Sequence, residues 1–374
     1  MMRNPLKFFL IAGEPSGDLH GSKLIKAIKS INHYTSFMGH GGSLMEKEGM
    51  KIVEHCNNLS VMGFKEVIIH LPRFFRIMRN TIELVKRLKP DRIILIDYPG
   101  FNLRFAKRIS NLKIPITYFI LPQAWAWKSN RVEIMKQYIN QSFSIFPFER
   151  DWYNSKGFET KFFGHPFVED EHVDENRIQF FKRHGLNQKD KILVLLPGSR
   201  QQEINKHWDI YIKTIELLKQ EIPSLQIIVG KSENVTIPPA DNSFKIEKNA
   251  KKAIIASDAA IVASGTATLE CAVETTPMVV CYKISWLSWL VTNYMVNVKY
   301  SSIVNLIAEK RVVPELLQSE MKPEHIKNII VELLNFESKT RIKMMNDLDK
   351  VKIKLGTPGV YIKIAEEVLK ATKQ

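Results

Sequence analysis

The sequence lacks the features that mark several common protein classes. Its three cysteines, Cys56, Cys271 and Cys281, are odd in number and show no Cys-x-x-Cys spacing. This pattern argues against a disulfide framework and against a zinc site, and we expect a reducing, cytoplasmic environment. No apolar run approaches the ~20 residues that span a bilayer, and the run after Lys7 stops too early for a secretory signal. We therefore expect no membrane-spanning segment.

Two familiar nucleotide-binding motifs are also missing. The sequence contains no Gly-x-x-x-x-Gly-Lys-Ser/Thr loop, and no Gly-x-Gly-x-x-Gly follows a predicted strand. Hydrolysis on a P-loop and hydride transfer to a dinucleotide are therefore disfavoured. The sequence indicates neither a metal ion nor a cofactor.

Positive charge is the strongest feature of the composition. The 374 residues include 54 Lys and Arg against 39 Asp and Glu, a net charge of +15. Such an excess favours an anionic partner, which could be a phosphorylated small molecule, nucleic acid or the surface of an acidic membrane. A generally basic surface without a specific partner is the alternative. Nucleic-acid binding is the weakest of these interpretations, because no recognition motif of the common modules appears.

The order of predicted elements indicates two α/β domains. Apolar runs of strand length alternate with helix-length segments, a pattern typical of parallel sheets covered on both faces. The predicted strands are Phe8–Ala12, Arg92–Asp97, Pro115–Phe119, Ser142–Phe146 and Thr160–Phe163 in the first half, and Ile192–Leu196, Leu225–Val229, Ala259–Ala263 and Met278–Cys281 in the second. We expect two Rossmann-like, doubly wound domains facing a cleft, with bounds 1–168 and 169–350. A C-terminal helix, 351–374, would pack back on the first domain or be exchanged in a dimer.

The first predicted strand runs into a turn that is rich in titratable side chains. Glu14, Asp18 and His20 fall within seven residues, between the strand and a helical pattern. Asp97 ends another predicted strand, and ligands of doubly wound sheets gather at the carboxyl ends of strands. A partly desolvated carboxylate there can abstract a proton from a hydroxyl group. The alternative is a polar turn whose carboxylates cap helices.

Two tryptophans follow in the same half. Trp125 and Trp127 lie beside Lys128 and Arg131. Aromatic rings next to cations could stack on a sugar or help to hold a phosphate; core packing is the alternative.

The second half contains two loops that could bind phosphate. Gly198, Ser199 and Arg200 join a predicted strand to a helix, where backbone N–H groups and the helix N-terminus attract anions and an arginine can clamp them. Capping of the helix by Glu203 is the competing interpretation. A second strand-to-helix junction offers further hydroxyl and amide groups to an anion. One turn later, a carboxylate is placed to accept hydrogen bonds from ribose hydroxyl groups. Its residues are Ser264, Gly265, Thr266 and Glu270.

One stretch of the first half combines an apolar helical face with arginines. Apolar residues spaced three and four apart lie between 61 and 78, and a series of arginines and lysines continues to residue 92. This composition is typical of a helix lying on an anionic membrane, although a core-facing helix with a solvated basic side is equally consistent. The residues that would face the membrane or an acylated acceptor include Phe64, Phe74, Phe75, Arg76 and Arg79.

Several short motifs in fixed order give the sequence a strong family resemblance. They are Gly13-Glu14-Pro15-Ser16-Gly17-Asp18 with His20, Ile96-Asp97-x-Pro99-x-Phe101-Asn102, Trp125-Ala126-Trp127, Phe146-Pro147-Phe148-Glu149, Gly164-His165-Pro166, Leu196-Pro197-Gly198-Ser199-Arg200 and Gly265-Thr266-Ala267-Thr268-Leu269-Glu270. Together they resemble the lipid-A-disaccharide synthase family over residues 8–318. The resemblance implies an inverting glycosyltransferase of the GT-B type. Its donor would be UDP-2,3-diacylglucosamine, its acceptor 2,3-diacylglucosamine 1-phosphate, and its products a lipid A disaccharide 1-phosphate and UDP.

The resemblance also implies roles for individual residues. Asp97 matches a carboxylate essential to catalysis, and His20 and Arg200 match other critical positions. The positions that match the nucleotide site are Gly265, Thr266, Glu270 and Asn305. From the residues themselves, we expect Asp97 to be the base, with His20 orienting it or the acceptor, and Arg200 with the Gly265 and Thr266 amides to face the departing UDP. Glu14 is counted with the catalytic residues and Asp18 with the acceptor or membrane side.

The family further implies peripheral association with the cytoplasmic face of the inner membrane, no metal and a possible homodimer. Another UDP-sugar enzyme on the same fold, either an epimerase or a transferase with a soluble acceptor, is the alternative function. The apolar and basic stretch argues against it, because a soluble substrate gives no reason for membrane affinity.

Overall fold

The computed structural model describes residues 5–59, 71–169, 175–232, 235–238, 244–284 and 299–373. The chain forms two compact units. The first comprises Met1–Glu169 together with Thr357–Gln374, and the second comprises Asp170–Gly356. Among the described residues, no helix combines the length and the apolar character that a bilayer span requires.

The first unit is built on a seven-stranded sheet, and its strand pairs are all parallel. Its strands are β1 (Leu6–Ala12), β2 (Thr35–Gly41), β3 (Lys51–His55), β4 (Arg92–Ile96), β5 (Ile116–Phe119), β6 (Gln141–Ser144) and β7 (Lys161–Phe162). They lie in the order β3-β2-β1-β4-β5-β6-β7. The chain first adds strands on one side of β1 and then returns to add them on the other. The β1–β4 junction is therefore the switch point, where sheets of this kind bind ligands.

Helices cover both faces of this sheet. They are α1 (Pro15–Ile31), α2 (Ser43–Lys47), α3 (Leu71–Leu88), α4 (Pro99–Arg108), α5 (Arg131–Tyr138) and α6 (Pro147–Ser155). Because strand side chains alternate between faces, Phe8 and Leu10 pack in one core cluster while Phe9 and Ile11 pack in the other. Helices α1, α4 and α6 each begin with proline, whose missing N–H costs nothing there and whose fixed φ suits the helix.

The second unit repeats this plan with six parallel strands. They are β8 (Ile192–Leu196), β9 (Gln226–Gly230), β10 (Phe244–Glu247), β11 (Ala259–Ala263), β12 (Met278–Tyr282) and β13 (Glu315–Leu317), in the order β10-β9-β8-β11-β12-β13. The helices are α7 (Arg177–His184), α8 (Gln201–Glu221), α9 (Ala250–Ala256), α10 (Thr266–Val273), α11 (Ile303–Ala308), α12 (Pro323–Leu334) and α13 (Lys339–Lys354). Here the switch point lies between β8 and β11.

The last helix, α14 (Val360–Thr372), belongs to the first unit and packs against α1. The Arg92 guanidinium holds its C-terminal end by donating to Thr372 Oγ1 at 2.8 Å. At its N-terminal end the Glu169 carboxylate accepts from the backbone N–H groups of Gly359, at 3.2 Å, and Tyr361, at 3.3 Å. Polar contacts at both ends therefore fix the position of this helix on the unit.

The two doubly wound sheets predicted from the sequence are present, but some elements differ from the prediction. Four edge or near-edge strands, β2, β3, β10 and β13, were not predicted, because each contains polar residues or glycine in place of an apolar run. The strand predicted as Ser142–Phe146 ends at Ser144, since Pro147 opens α6 and the two residues before it form the turn. The predicted helical pattern agrees with α3 from Leu71 onwards, and its earlier part lies in residues 60–70, outside the described part of the chain.

Candidate active site

The switch point of the first sheet brings Gly13 and Asp97 side by side. The parallel register pairs Ala12 with Ile96, so the residues that follow leave the sheet together. Gly13 is packed against the Tyr98 ring so closely that an added Cβ would lie 2.3 Å from Tyr98 Cδ1. Only glycine allows the first loop to approach the Asp97 turn to this extent.

The main chain at Asp97 is held in an uncommon conformation. Asp97 and Tyr98 both have left-handed dihedrals, with φ of 46° and 50°. Side chains with a β-carbon adopt this region at a cost, so other contacts must maintain it. The Asp97 carbonyl accepts from Asn102 Nδ2 at 2.6 Å and from the Tyr118 hydroxyl at 2.8 Å, and the Tyr98 hydroxyl donates to the Leu59 carbonyl at 3.0 Å. These bonds set the turn from which the Asp97 carboxyl group projects.

The surroundings of Asp97 make its carboxyl group unusually basic. Burial and the nearby charge of Glu14 raise its pKa to about 6, while the Tyr98 backbone N–H acts in the opposite direction. A carboxyl group with this pKa is ionised at neutral pH and is a better proton acceptor than an ordinary aspartate. Asp97 therefore has the properties of a general base.

The other titratable residues of the first loop are placed differently from one another. Glu14 is exposed and precedes α1 without capping it by its side chain. Asp18 is buried, and its carboxylate accepts from the backbone N–H groups of Gly42, Leu44 and Met45 at 2.7–3.1 Å. This carboxylate is occupied by the start of α2, whereas the exposed Glu14 is close enough to Asp97 for its charge to raise the pKa of that group.

His20 lies on the second turn of α1, next to the C-terminal helix. Its Nδ1 is 2.8 Å from the Tyr361 hydroxyl, and its ring stacks with the Tyr361 ring at 6.3 Å. The edge of the ring also meets Phe119, the last residue of β5. The contacts of His20 thus tie α14 to the same edge of the sheet.

The two tryptophans occupy different environments. The Trp125 indole N–H donates to Glu149 Oε1 at 2.8 Å, and the ring meets Phe148 edge to face at 5.0 Å. Trp127 is 39% exposed and lies between two cations, with Lys128 Nζ 4.5 Å and the Arg131 guanidinium 4.9 Å from its ring centroid. Trp127 therefore offers an exposed ring flanked by positive charge, while Trp125 is tied to a buried carboxyl group.

The two phenylalanines of α3 that were predicted to act together differ in burial, although their rings meet edge to face at 5.9 Å. Phe74 is partly buried and meets the fully buried Phe101 ring edge to face at 5.3 Å. Phe75 is 48% exposed, and Arg76 and Arg79 are exposed on the same helix. Phe64 lies outside the described residues. Within the described part of this stretch, Phe75 is the phenylalanine that projects into solvent.

The switch point of the second sheet brings together the two predicted phosphate loops. Register pairs Val262 with Leu196, so the loops after β8 and β11 leave the sheet side by side. Gly198 has φ of 122°, and an added Cβ would lie 2.6 Å from Glu203 Oε2. Glu203 accepts from the Tyr282 hydroxyl at 3.2 Å and does not cap the helix. The Arg200 side chain is largely exposed, and its Nη1 lies 3.9 Å from Glu203 Oε1. The cap by Glu203 that competed with anion binding is therefore not formed, and the Arg200 side chain makes no cap hydrogen bond either.

The loop after β11 presents polar groups at the start of α10. Gly265 and Thr266 are exposed, and a Cβ at Gly265 would have no atom within 4 Å. Ser264 Oγ donates to the Ser301 carbonyl at 3.1 Å, and Thr268 Oγ1 donates to the Gly265 carbonyl at 2.7 Å. Ser199 is likewise exposed, and Glu270 is half-buried in the second turn of α10. The N-terminus of α10 is thus open to solvent beside the Arg200 loop.

Asn305 is placed behind this loop and has no hydrogen-bonding capacity left for a ligand. Its Nδ2 donates to Val313 and to Glu315 Oε1, and its Oδ1 accepts from the N–H groups of Val312 and Val313, all at 2.7–2.9 Å. These four bonds use both amide donors and both lone pairs of the oxygen. Glu315 in turn accepts from the backbone N–H of Ser301 at 3.0 Å. Asn305 therefore acts on the loop after β11 indirectly, through Glu315 and Ser301.

Three side chains that support the two sites were not predicted as site residues. His207 Nε2 accepts from the Lys283 N–H at 3.0 Å, which leaves Nδ1 to donate to the Pro197 carbonyl at 3.3 Å and so brace the Arg200 loop. Burial lowers the pKa of His207, in agreement with a neutral ring. Glu149 and Glu315 are the other two. The sequence signal for Glu149 is its place in the Phe146-Pro147-Phe148-Glu149 motif, which could have marked it as a site residue. Nothing in the sequence distinguishes His207 or Glu315 from other histidines and glutamates.

Structural comparison defines the class of protein. The glycosyltransferase of kitacinnamycin matches with a TM-score of 0.66 and 12% identity, covering 98% of this chain and 99% of its own. UDP-GlcNAc 2-epimerase from Neisseria meningitidis, solved bound to UDP-GlcNAc, matches with a TM-score of 0.65 and 10% identity, covering 98% of this chain and 100% of its own. At such identities the likeness shows the fold alone, and that fold is the GT-B type.

Sequence comparison defines the family. The family model for lipid-A-disaccharide synthetase matches residues 8–361. Lipid-A-disaccharide synthase of Myxococcus xanthus is 35% identical over 376 residues, covering 98% of each chain, and lipid-A-disaccharide synthase 1 of Legionella pneumophila is 34% identical, covering 95% of each. The chain belongs to the lipid-A-disaccharide synthase family, and it is a glycosyltransferase of lipid A biosynthesis. The alternative of an epimerase on the same fold is not favoured.

Proposed function

We propose that this chain transfers 2,3-diacylglucosamine from its UDP ester to the 6-hydroxyl group of 2,3-diacylglucosamine 1-phosphate. The acceptor oxygen attacks the anomeric carbon, the bond from that carbon to the diphosphate oxygen breaks, and the configuration at the carbon inverts. The hydroxyl proton goes to the enzyme, and UDP leaves with the bonding electron pair. The products are the β(1→6)-linked disaccharide 1-phosphate and UDP.

Asp97 is the general base of this reaction, and its setting is the observation that carries the proposal. The carboxyl group stands at the switch point of the first sheet, where burial and Glu14 raise its pKa to about 6. Proton transfer to such a group is efficient near neutral pH, because the group is ionised and still basic. Glu14 keeps Asp97 basic through its charge, and His20, held by Tyr361, orients the acceptor.

The second unit binds the donor and stabilises the leaving group. Arg200 and the N-terminus of α10 at Gly265 and Thr266 face the diphosphate, since both attract phosphate and gain strength as negative charge develops there. Gly198 and Ser199 supply further polar groups on the Arg200 loop, as Ser264 does on the loop after β11. The Glu270 carboxylate accepts from ribose hydroxyl groups. Asn305 contributes by bracing the loop after β11 through Glu315.

Acylated substrates require access to a lipid surface, and α3 supplies it. Phe75 inserts among lipid chains, while Arg76 and Arg79 meet anionic headgroups on the cytoplasmic face of the inner membrane. Trp127, between Lys128 and Arg131, contacts the acceptor sugar and its phosphate.

A homodimer formed by exchange of α14 stays a prediction from the family resemblance.

The test is UDP release by the purified protein. With both acylated substrates present, UDP and the disaccharide should appear in equal amounts, and neither should appear when the acceptor is left out. UDP-GlcNAc alone is the control for epimerase chemistry, and we expect no change in its sugar. Conversion of UDP-GlcNAc, or UDP release without an acylated acceptor, would contradict the proposal.

A further inference from the structure

Glu149 is a buried carboxyl group with an unusual set of contacts. It lies in the first turn of α6, directly after β6, and is 1% exposed. Its Oε1 accepts the Trp125 indole N–H at 2.8 Å, and its Oε2 has no hydrogen-bond partner among the described residues. A buried anion with one free oxygen is costly, whereas a neutral acid in the same place costs far less.

Glu149 belongs to the same edge of the first sheet as Asp97. Strands β4, β5 and β6 are adjacent and parallel, and they are followed by Asp97, the Trp125 loop and Glu149 in turn. The charge of Asp97 is close enough to add to the effect of burial on Glu149. From the same helix as Glu149, the Tyr153 hydroxyl donates to the Pro122 carbonyl at the base of the Trp125 loop. Helix α6 therefore holds this loop at two points.

We infer that Glu149 is a positioning residue of the reaction centre, which holds the Trp125 ring and its loop beside Asp97 through the indole N–H. The inference rests on the proposed role of Asp97 as base. Burial raises the pKa of Glu149 to about 8, although the Trp125 indole and the backbone N–H groups of Ile145 and Phe146 act to lower it. The carboxyl group is therefore neutral at the pH where Asp97 must be ionised. The titratable groups that face this cluster are Asp97, Tyr118, Tyr153 and Arg131.

The protonation state matters because a second negative charge would disable the base. Asp97 already lies near the charge of Glu14, which raises its pKa. An ionised Glu149 would raise this pKa further, and Asp97 would then hold a proton at neutral pH. As the neutral acid, Glu149 can position Trp125 without this effect.

Activity measurements on three variants test the inference. Glu149→Gln keeps a neutral oxygen that can accept the indole N–H, and we expect UDP release within about threefold of wild type at pH 7. Glu149→Leu and Trp125→Phe each break the hydrogen bond. Each should lower kcat by about 10²-fold, a typical cost of misplaced substrate-positioning groups. The double variant should be no worse than either single one, because both changes remove the same contact.

The pH profile gives a readout that a merely structural role would not change. In Glu149→Gln, the fall of kcat/KM below about pH 6 should stay where it is, because a neutral side chain replaces a neutral one beside Asp97. Glu133→Gln and Glu133→Leu are matched controls, since Glu133 is exposed on α5 and pairs with Lys136. Both should match wild type.

Two outcomes would overturn the inference. One is a shift of the acid limb to lower pH in Glu149→Gln, which would show that Glu149 is ionised beside Asp97. The other is normal kcat in Trp125→Phe, which replaces one ring by another and so remains informative even if Glu149→Leu does not fold. Absence of UDP release by wild type would instead contradict the proposed function, so the two failures are distinguishable.

Discussion

Replacing Phe75 tests the membrane contact of α3. The ring is 48% exposed, and a phenylalanine that can bury about 200 Å² therefore has roughly 100 Å² left to place among lipid chains. At about 25 cal/mol per Å² this area is worth about 2.5 kcal/mol, or close to a 60-fold change in partitioning. We expect Phe75→Ser to weaken binding to vesicles containing anionic phospholipid by about 10- to 60-fold and to leave the free energy of unfolding nearly unchanged.

Phe74 provides the contrast on the same helix. Its ring packs edge to face on the buried Phe101, so Phe74→Ser should lower the free energy of unfolding by about 2–4 kcal/mol. Phe336, which is 53% exposed in the second unit, supplies a control of the same residue type, and Phe336→Ser should bind vesicles as wild type does. Cosedimentation and denaturant unfolding measure the two quantities. If Phe75→Ser bound vesicles normally, or if Phe74→Ser lost binding without loss of stability, the proposed orientation of α3 would be refuted.

Three further predictions concern the supporting residues. Gly13→Ala should lower the free energy of unfolding by about 1–3 kcal/mol, because the new Cβ meets the Tyr98 ring at 2.3 Å; denaturant unfolding measures it, and an unchanged midpoint would contradict the close packing. The Glu149 carboxyl group has a pKa raised by burial, so its stabilising contribution is complete below about pH 4.5 and declines as the pH rises towards 8. Between pH 5 and 8 the stability of Glu149→Gln should therefore fall less than that of wild type, and parallel curves would refute this. Asn305→Ala should cost about 2–4 kcal/mol, because it removes one hydrogen bond from the buried Glu315 and leaves the backbone N–H groups of Val312 and Val313 unpaired, and it should raise the KM for the donor.

The parts of the fold that could be predicted from the sequence are those in which one segment carries the whole signal. Ile192–Leu196 and Ala259–Ala263 were predicted with the observed bounds, because a strand buried on both faces is a continuous apolar run. Thr35–Gly41 and Lys51–His55 were missed. Their place in the sheet depends on pairing with distant strands and not on an apolar pattern of their own.

The candidate site also has features that one segment of the sequence predicts and features that depend on distant segments. The position of Asp97 after a strand is visible in the sequence, since strand and loop are local. Its raised pKa depends on Glu14 and on burial by distant segments, and the close approach of Gly13 to Tyr98 depends on the strand register. The saturation of Asn305 also depends on residues that come together only in the folded unit.

The phenylalanines of α3 show a limit of periodicity. Phe74 and Phe75 are neighbours in an amphipathic pattern, and the pattern alone assigns both to one face. A helix turns by about 100° per residue, so the two side chains differ in burial although their rings meet edge to face at 5.9 Å: Phe74 packs against the core and Phe75 is half exposed. Which ring faces the core is settled by the position of Phe101 on α4.

Turnover by Asp97→Asn is the most direct test of the central claim. The variant keeps the shape of the side chain and removes its ability to accept a proton. With both acylated substrates at saturation, we expect kcat for UDP release to fall by about 10²–10⁴-fold with little change in KM, and the wild-type decline in kcat/KM below about pH 6 to disappear from any residual activity. A variant that kept its kcat, or that lost only substrate affinity, would show that Asp97 is not the group that takes the proton.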